Sequence, residues 1–266
     1  MSTPDRDRRA ASFSGVAATY ADHRPGYPPA AVEWLLGSQP ARVLELGAGT
    51  GKLTATLCSL GHDVLATDPS AEMLSHLHRT APPARIVRAR AEKIPLPWAS
   101  VDVVVAAQAH HWFDGDRALP EVARVLRPGG TLALVWNVGD LKVPWVRRFF
   151  ELLQFDPAGR GEDPFTGSDV FSLTGRHVVR HWQKFFRQTM VGFAASTSYA
   201  ATLPTEERED LFGRVTELYD SYGRGPDGLL MPWISYCYRG RVQGLVSRPP
   251  AQRAPVTDDG LLIDFN

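Results

Sequence analysis

The stretch Val43-Leu44-Glu45-Leu46-Gly47-Ala48-Gly49-Thr50-Gly51 constrains this chain more than any other. In it an apolar strand runs into three alternating glycines and then into a segment of helical period. Glycine is needed where backbone adopts positive φ or must approach a ligand closely. A strand that turns through glycines into a helix is a unit of the open α/β sheet, and such sheets bind ligands beyond the carboxyl ends of their strands. The spacing discriminates further. A dinucleotide turn has the pattern G-x-G-x-x-G, which seats a pyrophosphate on the helix N-terminus. Here the place of that third glycine is Lys52, and the pattern is G-x-G-x-G with the acidic Glu45 inside the strand.

The strand–helix unit then repeats along the chain. Apolar runs at Arg42 to Leu46, Asp63 to Thr67, Ala84 to Val87, Val101 to Ala107 and Thr131 to Trp136 alternate with segments of helical period. That alternation is the mark of a parallel sheet covered by helices. Leu53, Leu57 and Leu60 share one helical face that stops at Gly61. Ser70 is placed to cap a helix bearing Met73, Leu74 and Leu77, and Leu119, Val122 and Leu126 give a third helix its apolar stripe. Turn chemistry separates the runs, as at Asp68-Pro69-Ser70 and Arg127-Pro128-Gly129-Gly130.

From about Pro144 the alternation is lost. An amphipathic segment, Trp145 to Leu153, leads into a stretch rich in Gly, Asp and Pro from Asp156 to Asp169, which reads as a loop. Val178 to Phe186 is a candidate strand, Thr205 to Tyr219 a helix, and Trp233 to Tyr238 a final strand. The organisation expected is a cofactor-binding core over 1–140 with an N-terminal lid segment over 1–38. A substrate-side cap with the last strands extends over 141–245, and a tail over 246–266. Phe165, Phe171, Trp182, Phe193, Tyr199, Tyr219 and Tyr222 in the second half suit either an acceptor cavity or the core of a cap, and Arg239 and Arg241 read as a solvated edge.

Charge bears on the partner. Lysine plus arginine (29) equals aspartate plus glutamate (29), so no net field draws the chain to nucleic acid or to an anionic membrane. No apolar run approaches the roughly 18 residues that span a bilayer, and a cytoplasmic protein is expected. Cys58 and Cys237 form neither a disulfide framework nor a zinc motif, and Asn137 with Asp140 is too sparse for a metal, so none is assigned.

Asp68 ends the second strand about 20 residues after the first glycine, where an acidic side chain accepts hydrogen bonds from ribose hydroxyls. Each feature alone has a purely structural reading, but their order and spacing point to an adenosine-bearing ligand. With these features the chain resembles the class I S-adenosylmethionine-dependent methyltransferases, in the small-molecule group called methyltransferase type 11. Val43 to Gly51 resembles the first family motif, and Ala66-Thr67-Asp68-Pro69-Ser70 with Met73 resembles the ribose-holding segment. Ala91-Glu92 with Ile94-Pro95-Leu96 and Ser100-Val101-Asp102 resembles the segment that lines the adenine. Glu121 to Gly130 is similar to the helix and turn before the fifth strand. The resemblance implies a Rossmann-like α/β doubly wound sheet, mostly parallel with an antiparallel last strand, and a helical cap. It implies S-adenosyl-L-methionine as cofactor, held by Glu45, Gly47, Ala48, Gly49, Thr50, Gly51, Asp68, Pro69, Met73, Ala91, Glu92, Gln108 and Ala109. Arg90 departs from the family pattern, standing where relatives often carry a short polar or acidic residue before Ala91-Glu92.

Two further segments resemble a narrower branch that contains trans-aconitate-type methyltransferases. They are Tyr20 with Arg24-Pro25 and Tyr27-Pro28, and Gln108-Ala109-His110-His111-Trp112-Phe113-Asp114. In relatives the first closes over the cofactor, so Tyr20 and Arg24 join the expected cofactor set, with Arg24 suited to a bidentate pair with its carboxylate. A sulfonium is already a good leaving group, so the protein has mainly to align a nucleophile and exclude water. His110 and His111 are the candidates for a general base if the acceptor must lose a proton. A small-molecule acceptor is expected. A noncatalytic cofactor-binding protein, a macromolecular acceptor and a homodimer built through Leu261-Leu262-Ile263 stay open.

Overall fold

The computed structural model describes residues 23–155, 162–222 and 227–243. The Pro28-Pro29 pair opens α1 (Pro29–Leu36), where proline at the first helical position removes an N–H that would have no intrahelical partner anyway. Then β1 (Arg42–Leu46), α2 (Lys52–Ser59), β2 (Asp63–Asp68), α3 (Ala71–Thr80), β3 (Arg85–Arg88), β4 (Val101–Ala107), α4 (Gly115–Val125) and β5 (Leu126–Gly139) come in turn. Ser70 caps α3 as its position required, its Oγ accepting the Met73 N–H at 3.3 Å. After α5 (Pro144–Leu152) come β6 (Phe171–Phe185), α6 (Arg187–Ala195), α7 (Ser198–Thr202), α8 (Thr205–Tyr222) and β7 (Leu229–Val242).

The seven strands form one sheet in the order β3-β2-β1-β4-β5-β7-β6. The strands β1 to β5 are parallel, and β7 inserts between β5 and β6, antiparallel to both. This is the Rossmann-like, mostly parallel sheet with one reversed strand and a helical cap. Because successive strand residues point to opposite faces, the sheet builds two cores. Leu44, Leu46, Val104, Leu132 and Leu134 pack on one side with α4, and Val43, Val64, Val103 and Val135 pack on the other with α1, α2 and α3. Each such side chain, fully buried, contributes roughly 1.5–3 kcal/mol.

Several boundaries differ from those the sequence suggests. β5 reaches back to Leu126, because Val101 pairs with Leu126 while Val103 pairs with Thr131. The Arg127-Pro128-Gly129-Gly130 turn is absorbed inside the strand as a bulge, with Gly129 at φ 77°. β6 starts at Phe171 rather than Val178, and β7 extends beyond Trp233 to Tyr238 at both ends, the two pairing along almost their whole lengths. The early part of β6 reads poorly from sequence because an edge strand exposes residues such as Thr174, Arg176 and His177, which blurs its apolar pattern. Of the loop expected over 156–169, the described residues lie in turns and bends, and 156–161 fall outside the described residues.

A third core belongs to the cap. Trp145, Phe149, Phe150, Phe185, Met190, Phe193, Leu211, Val215, Met231 and Trp233 interlock, with the Phe150 and Trp233 rings edge to face at 6.0 Å. The aromatic residues of the second half therefore separate. Phe193 and Tyr219 are in the cap, Phe165 and Phe171 lie with Tyr238 under the opposite face, and Trp182 (63 % exposed) and Tyr222 (44 %) face outward. Arg239 does not sit at a solvated edge, since its guanidinium lies over the Trp34 ring at 4.4 Å.

Candidate functional site

The glycine turn sits at the carboxyl end of β1, between the ends of β2 and β4. Gly47 has φ 64°, and a Cβ there would lie 2.6 Å from the Cβ of Ala109, so the loop after β4 presses on the turn itself. Gly49, at φ 57°, differs: a Cβ there would meet nothing within 4 Å. Its missing side chain leaves open space rather than making room for a protein neighbour. Asp68, at the end of β2, fastens the turn. One carboxylate oxygen accepts the Gly49 N–H at 3.0 Å and the other accepts the Ser70 N–H at 2.8 Å. Burial pushes its pKa up, and the two backbone donors hold it back.

Other expected positions take up stations around this edge. Ala48 donates its N–H to the Thr67 carbonyl at 2.9 Å, and Gly51 donates to the Ala48 carbonyl at 3.0 Å. The Thr50 hydroxyl is buried without a hydrogen-bond partner among the described residues. Pro69 offers its carbonyl to Arg88 Nε at 2.8 Å, and Met73 is buried in the first turns of α3. Ala91 is buried, and Glu92 accepts the Asp114 N–H at 3.0 Å and faces Arg90 Nε at 3.4 Å, so it braces the segment after β4. Arg90 itself is largely exposed.

Glu45 turns away from the open side. It is 1 % exposed, its Oε2 accepts the Thr54 hydroxyl of α2 at 2.7 Å, and burial pushes its pKa from the ordinary 4.5 up to about 8. Arg24 donates through Nε to Ser196 Oγ at 2.9 Å and through Nη2 to the Ser196 carbonyl at 3.1 Å, and stacks on Phe193 at 4.4 Å. It thus ties the segment before α1 to the cap. Tyr20 lies outside the described residues.

Gln108 comes after β4 at φ 56°, a left-handed conformation that a glutamine holds only under constraint. Its side chain donates to the Asn137 carbonyl at 2.7 Å. His110 is half-buried, its ring edge-on to Phe113 at 6.0 Å and to Trp136 at 6.2 Å, and burial pushes its pKa down to about 4. His111 is exposed and leans on Trp112 at 4.6 Å. Sequence reasoning misses the bonds that Asn137, Ser196 and Ser235 make around this edge, from Ser196 to Arg24 and from Ser235 to Asn137. For Asn137 a signal exists, an amide at the end of an otherwise apolar strand, Thr131 to Trp136. Among the described residues no group of three or more His, Cys, Asp or Glu is arranged to hold a metal, and no helix is long and apolar enough to cross a membrane.

Comparison with known proteins bears on the family to which the chain belongs. A family described as "Methyltransferase domain" matches residues 44–134, the span from β1 through most of β5. An uncharacterized methyltransferase of Mycobacterium tuberculosis is 42 % identical over 234 residues, which is 86 % of this chain and 94 % of the relative. Another, from Schizosaccharomyces pombe, is 34 % identical over 224 residues, 80 % of this chain and 89 % of that one. Among solved structures, a provisionally named type II methyltransferase from Anaeromyxobacter dehalogenans is 28 % identical and superimposes with a TM-score of 0.67, covering 82 % of this chain and 97 % of its own. With its glycine turn, acidic second-strand end and reversed seventh strand, the chain belongs to the S-adenosylmethionine-dependent methyltransferases of the type 11 family and is an enzyme of that class.

Proposed function

We propose that this enzyme transfers the methyl group of S-adenosylmethionine to an oxygen, nitrogen or carboxylate of a small-molecule acceptor by in-line displacement. The observation that carries the reading is the turn at the end of β1. Open space stands beside Gly49, the buried Thr50 hydroxyl lacks a partner among the described residues, and Asp68 is fixed beside them. These features fit an adenosyl ligand that lies along glycine backbone and presents ribose hydroxyls to a carboxylate. In this reading Gly47, Ala48, Gly49, Thr50 and Gly51 carry the ligand along their backbone. Asp68, Pro69 and Met73 hold the ribose, and Ala91 and Glu92 with Gln108 and Ala109 border the adenine. Glu45 supports the turn from behind through Thr54. Tyr20 and Arg24 belong to the segment that closes over the ligand, and Arg24 reaches the ligand's carboxylate by exchanging the bonds that its Nε and Nη2 make to Ser196.

When bound, the cofactor supplies an electrophilic methyl on a cationic sulfur whose departure needs no acid. The protein's share is alignment and exclusion of water. We assign the acceptor to the carboxyl ends of β4 and β5, beside His110, Phe113 and Trp136, under the aromatic cap. With its pKa near 4, His110 is neutral at physiological pH and too weak a base to carry off a proton from a phenol or alcohol. It serves instead to orient the acceptor by a hydrogen bond. An acceptor that needs no base, such as a carboxylate or an amine with a free lone pair, fits that role. The balance of positive and negative residues supports a small acceptor over a nucleic acid.

Calorimetry with S-adenosylmethionine and S-adenosylhomocysteine, with NAD as control, tests the cofactor half. Binding of both adenosyl ligands and silence for NAD is expected, and no binding of either would overturn it. Production of S-adenosylhomocysteine with a panel of carboxylate, amine and phenol acceptors tests the other half. Turnover on protein or nucleic acid but on none of the small acceptors would refute the proposed acceptor class.

A further inference from the structure

We infer that Asn137 is a positioning residue that locks together the two segments flanking the cofactor-binding edge; the inference rests on the proposed adenosyl site. Asn137 reaches both segments. Its Nδ2 donates to the Gly26 carbonyl at 3.0 Å, in the segment between Arg24 and Tyr27. Its main-chain carbonyl accepts the Gln108 amide at 2.7 Å, in the segment that leads to Ala109 and His110. The side-chain oxygen, Oδ1, accepts the Ser235 hydroxyl at 2.6 Å and lies 3.4 Å from His181 Nε2. The residue is 5 % exposed and its bond with Ser235 is buried, while those to Gly26, Gln108 and His181 are part-buried.

The arrangement is directional. Ser235 in β7 and His181 in β6 fix the orientation of the amide, with the oxygen toward them and the nitrogen toward Gly26. The Gln108 side chain bonds the main chain of the same β5 residue, while its N–H bonds the Val135 carbonyl, so the loop after β4 is fastened to the end of β5 where Gln108 has φ 56° and Ala109 approaches Gly47. The segment before α1 has other ties. Gln183 Nε2 donates to the His23 carbonyl at 3.1 Å, Thr56 donates to the Tyr27 carbonyl at 3.2 Å, and Arg24 grips Ser196. Those ties place the segment against β6, α2 and the cap. The bond from Asn137 sets it against the end of β5 and, through Gln108, against the loop after β4, and so sets the width of the cleft that the cofactor enters.

The test compares three variants. Asn137→Ala removes both side-chain functions, and Asn137→Asp keeps the volume and the acceptor for Ser235 but loses the donor to Gly26. Ser235→Ala removes the 2.6 Å bond from the same buried group without touching the segment. The readouts are S-adenosylhomocysteine affinity by calorimetry, KM for S-adenosylmethionine against kcat, thermal unfolding, and hydrogen exchange at the Gly26 and Tyr27 amides. Both Asn137 variants are expected to weaken S-adenosylhomocysteine by about tenfold. They raise KM for S-adenosylmethionine in parallel, keep kcat at saturating cofactor within about twofold, and speed exchange at Gly26 and Tyr27. Ser235→Ala lowers the melting temperature to a similar degree and changes affinity less than about twofold. Equal affinity losses in Ser235→Ala and Asn137→Ala, or wild-type affinity in Asn137→Asp, would overturn the inference. Should Asn137→Ala not fold, Asn137→Asp and Ser235→Ala still decide it. A wild-type protein that bound neither adenosyl ligand would instead fail the proposed function, and the exchange rates at Gly26 and Tyr27 would still report on the tether.

Discussion

Replacing Glu45 with glutamine probes how the glycine turn is supported. In the folded chain the carboxyl is sealed between β1 and α2, with one hydrogen bond from Thr54 and the negative Asp68 nearby, and it keeps its proton up to about pH 8. In the unfolded chain it ionises at its ordinary value near 4.5. Between those two values the folded state binds more protons than the unfolded state, so stability falls as pH rises, at most by about 1.4 kcal/mol per pH unit. Across the window the loss is on the order of 5 kcal/mol, a large share of a domain's typical 5–15 kcal/mol. Glutamine cannot ionise and does not incur the loss. Urea unfolding of both proteins between about pH 5 and pH 9 reads the difference directly. The expected result is a gap that moves in favour of Glu45→Gln by a few kcal/mol from the acid to the alkaline end. A gap constant over that range would refute the argument, because it would mean that Glu45 ionises alike in the folded and unfolded chains.

Other perturbations separate binding from folding. Asp68→Ala removes the acceptor for the Gly49 and Ser70 amides. It should lower stability by about 1–3 kcal/mol while weakening S-adenosylhomocysteine at least tenfold in the protein that remains folded, as measured by calorimetry. Gly49→Ala and Gly47→Ala should diverge in paired melting and calorimetry measurements. The first places a methyl in open space and is expected to cost about 1 kcal/mol of stability but most of the cofactor affinity, whereas the second collides with Ala109 and should unfold the protein more readily. His110→Ala should slow turnover without moving the pH–rate profile between about pH 6 and 8, since an imidazole that titrates near 4 leaves no inflection there. An inflection near the ordinary 6.5 that disappears in this variant would restore His110 as a general base.

The legible parts of the site are those set by local chain geometry. The glycine turn, Asp68 and the Ser70 cap act on neighbours a few residues away or across one parallel pairing, and glycine spacing and capping chemistry report such contacts well. Position in the motif puts Glu45 with the cofactor set. Strand alternation explains its direction in the fold: it shares a face with Val43, the face that α2 covers, and so meets Thr54. Arg24 reads from sequence as a partner for a carboxylate, yet it also bonds to Ser196, far along the chain. No spacing rule connects Asn137 with Gly26, Gln108, His181 and Ser235 either, because the strand order brings them together only after β7 has inserted beside β5. The cap is the least legible, since aromatic residues alone do not reveal which of two cores they join.

The position of β6 carries a consequence for association. Fifteen residues long, it stands at the end of the sheet order, with β7 on one side and no strand on the other among the described residues. A long strand in that position is a template for pairing with another chain. Along it, however, Arg176, Arg180 and Lys184 project on one face, and all three are exposed. If two copies joined antiparallel about the middle of this strand, Arg180 would lie opposite Arg180 and Arg176 opposite Lys184. Like charges in facing positions repel. In the same register the exposed Val178 and Trp182 of that face would lie opposite one another and attract, so the cations oppose pairing through this edge only in part, and neutralising all three would leave the apolar pair to favour it.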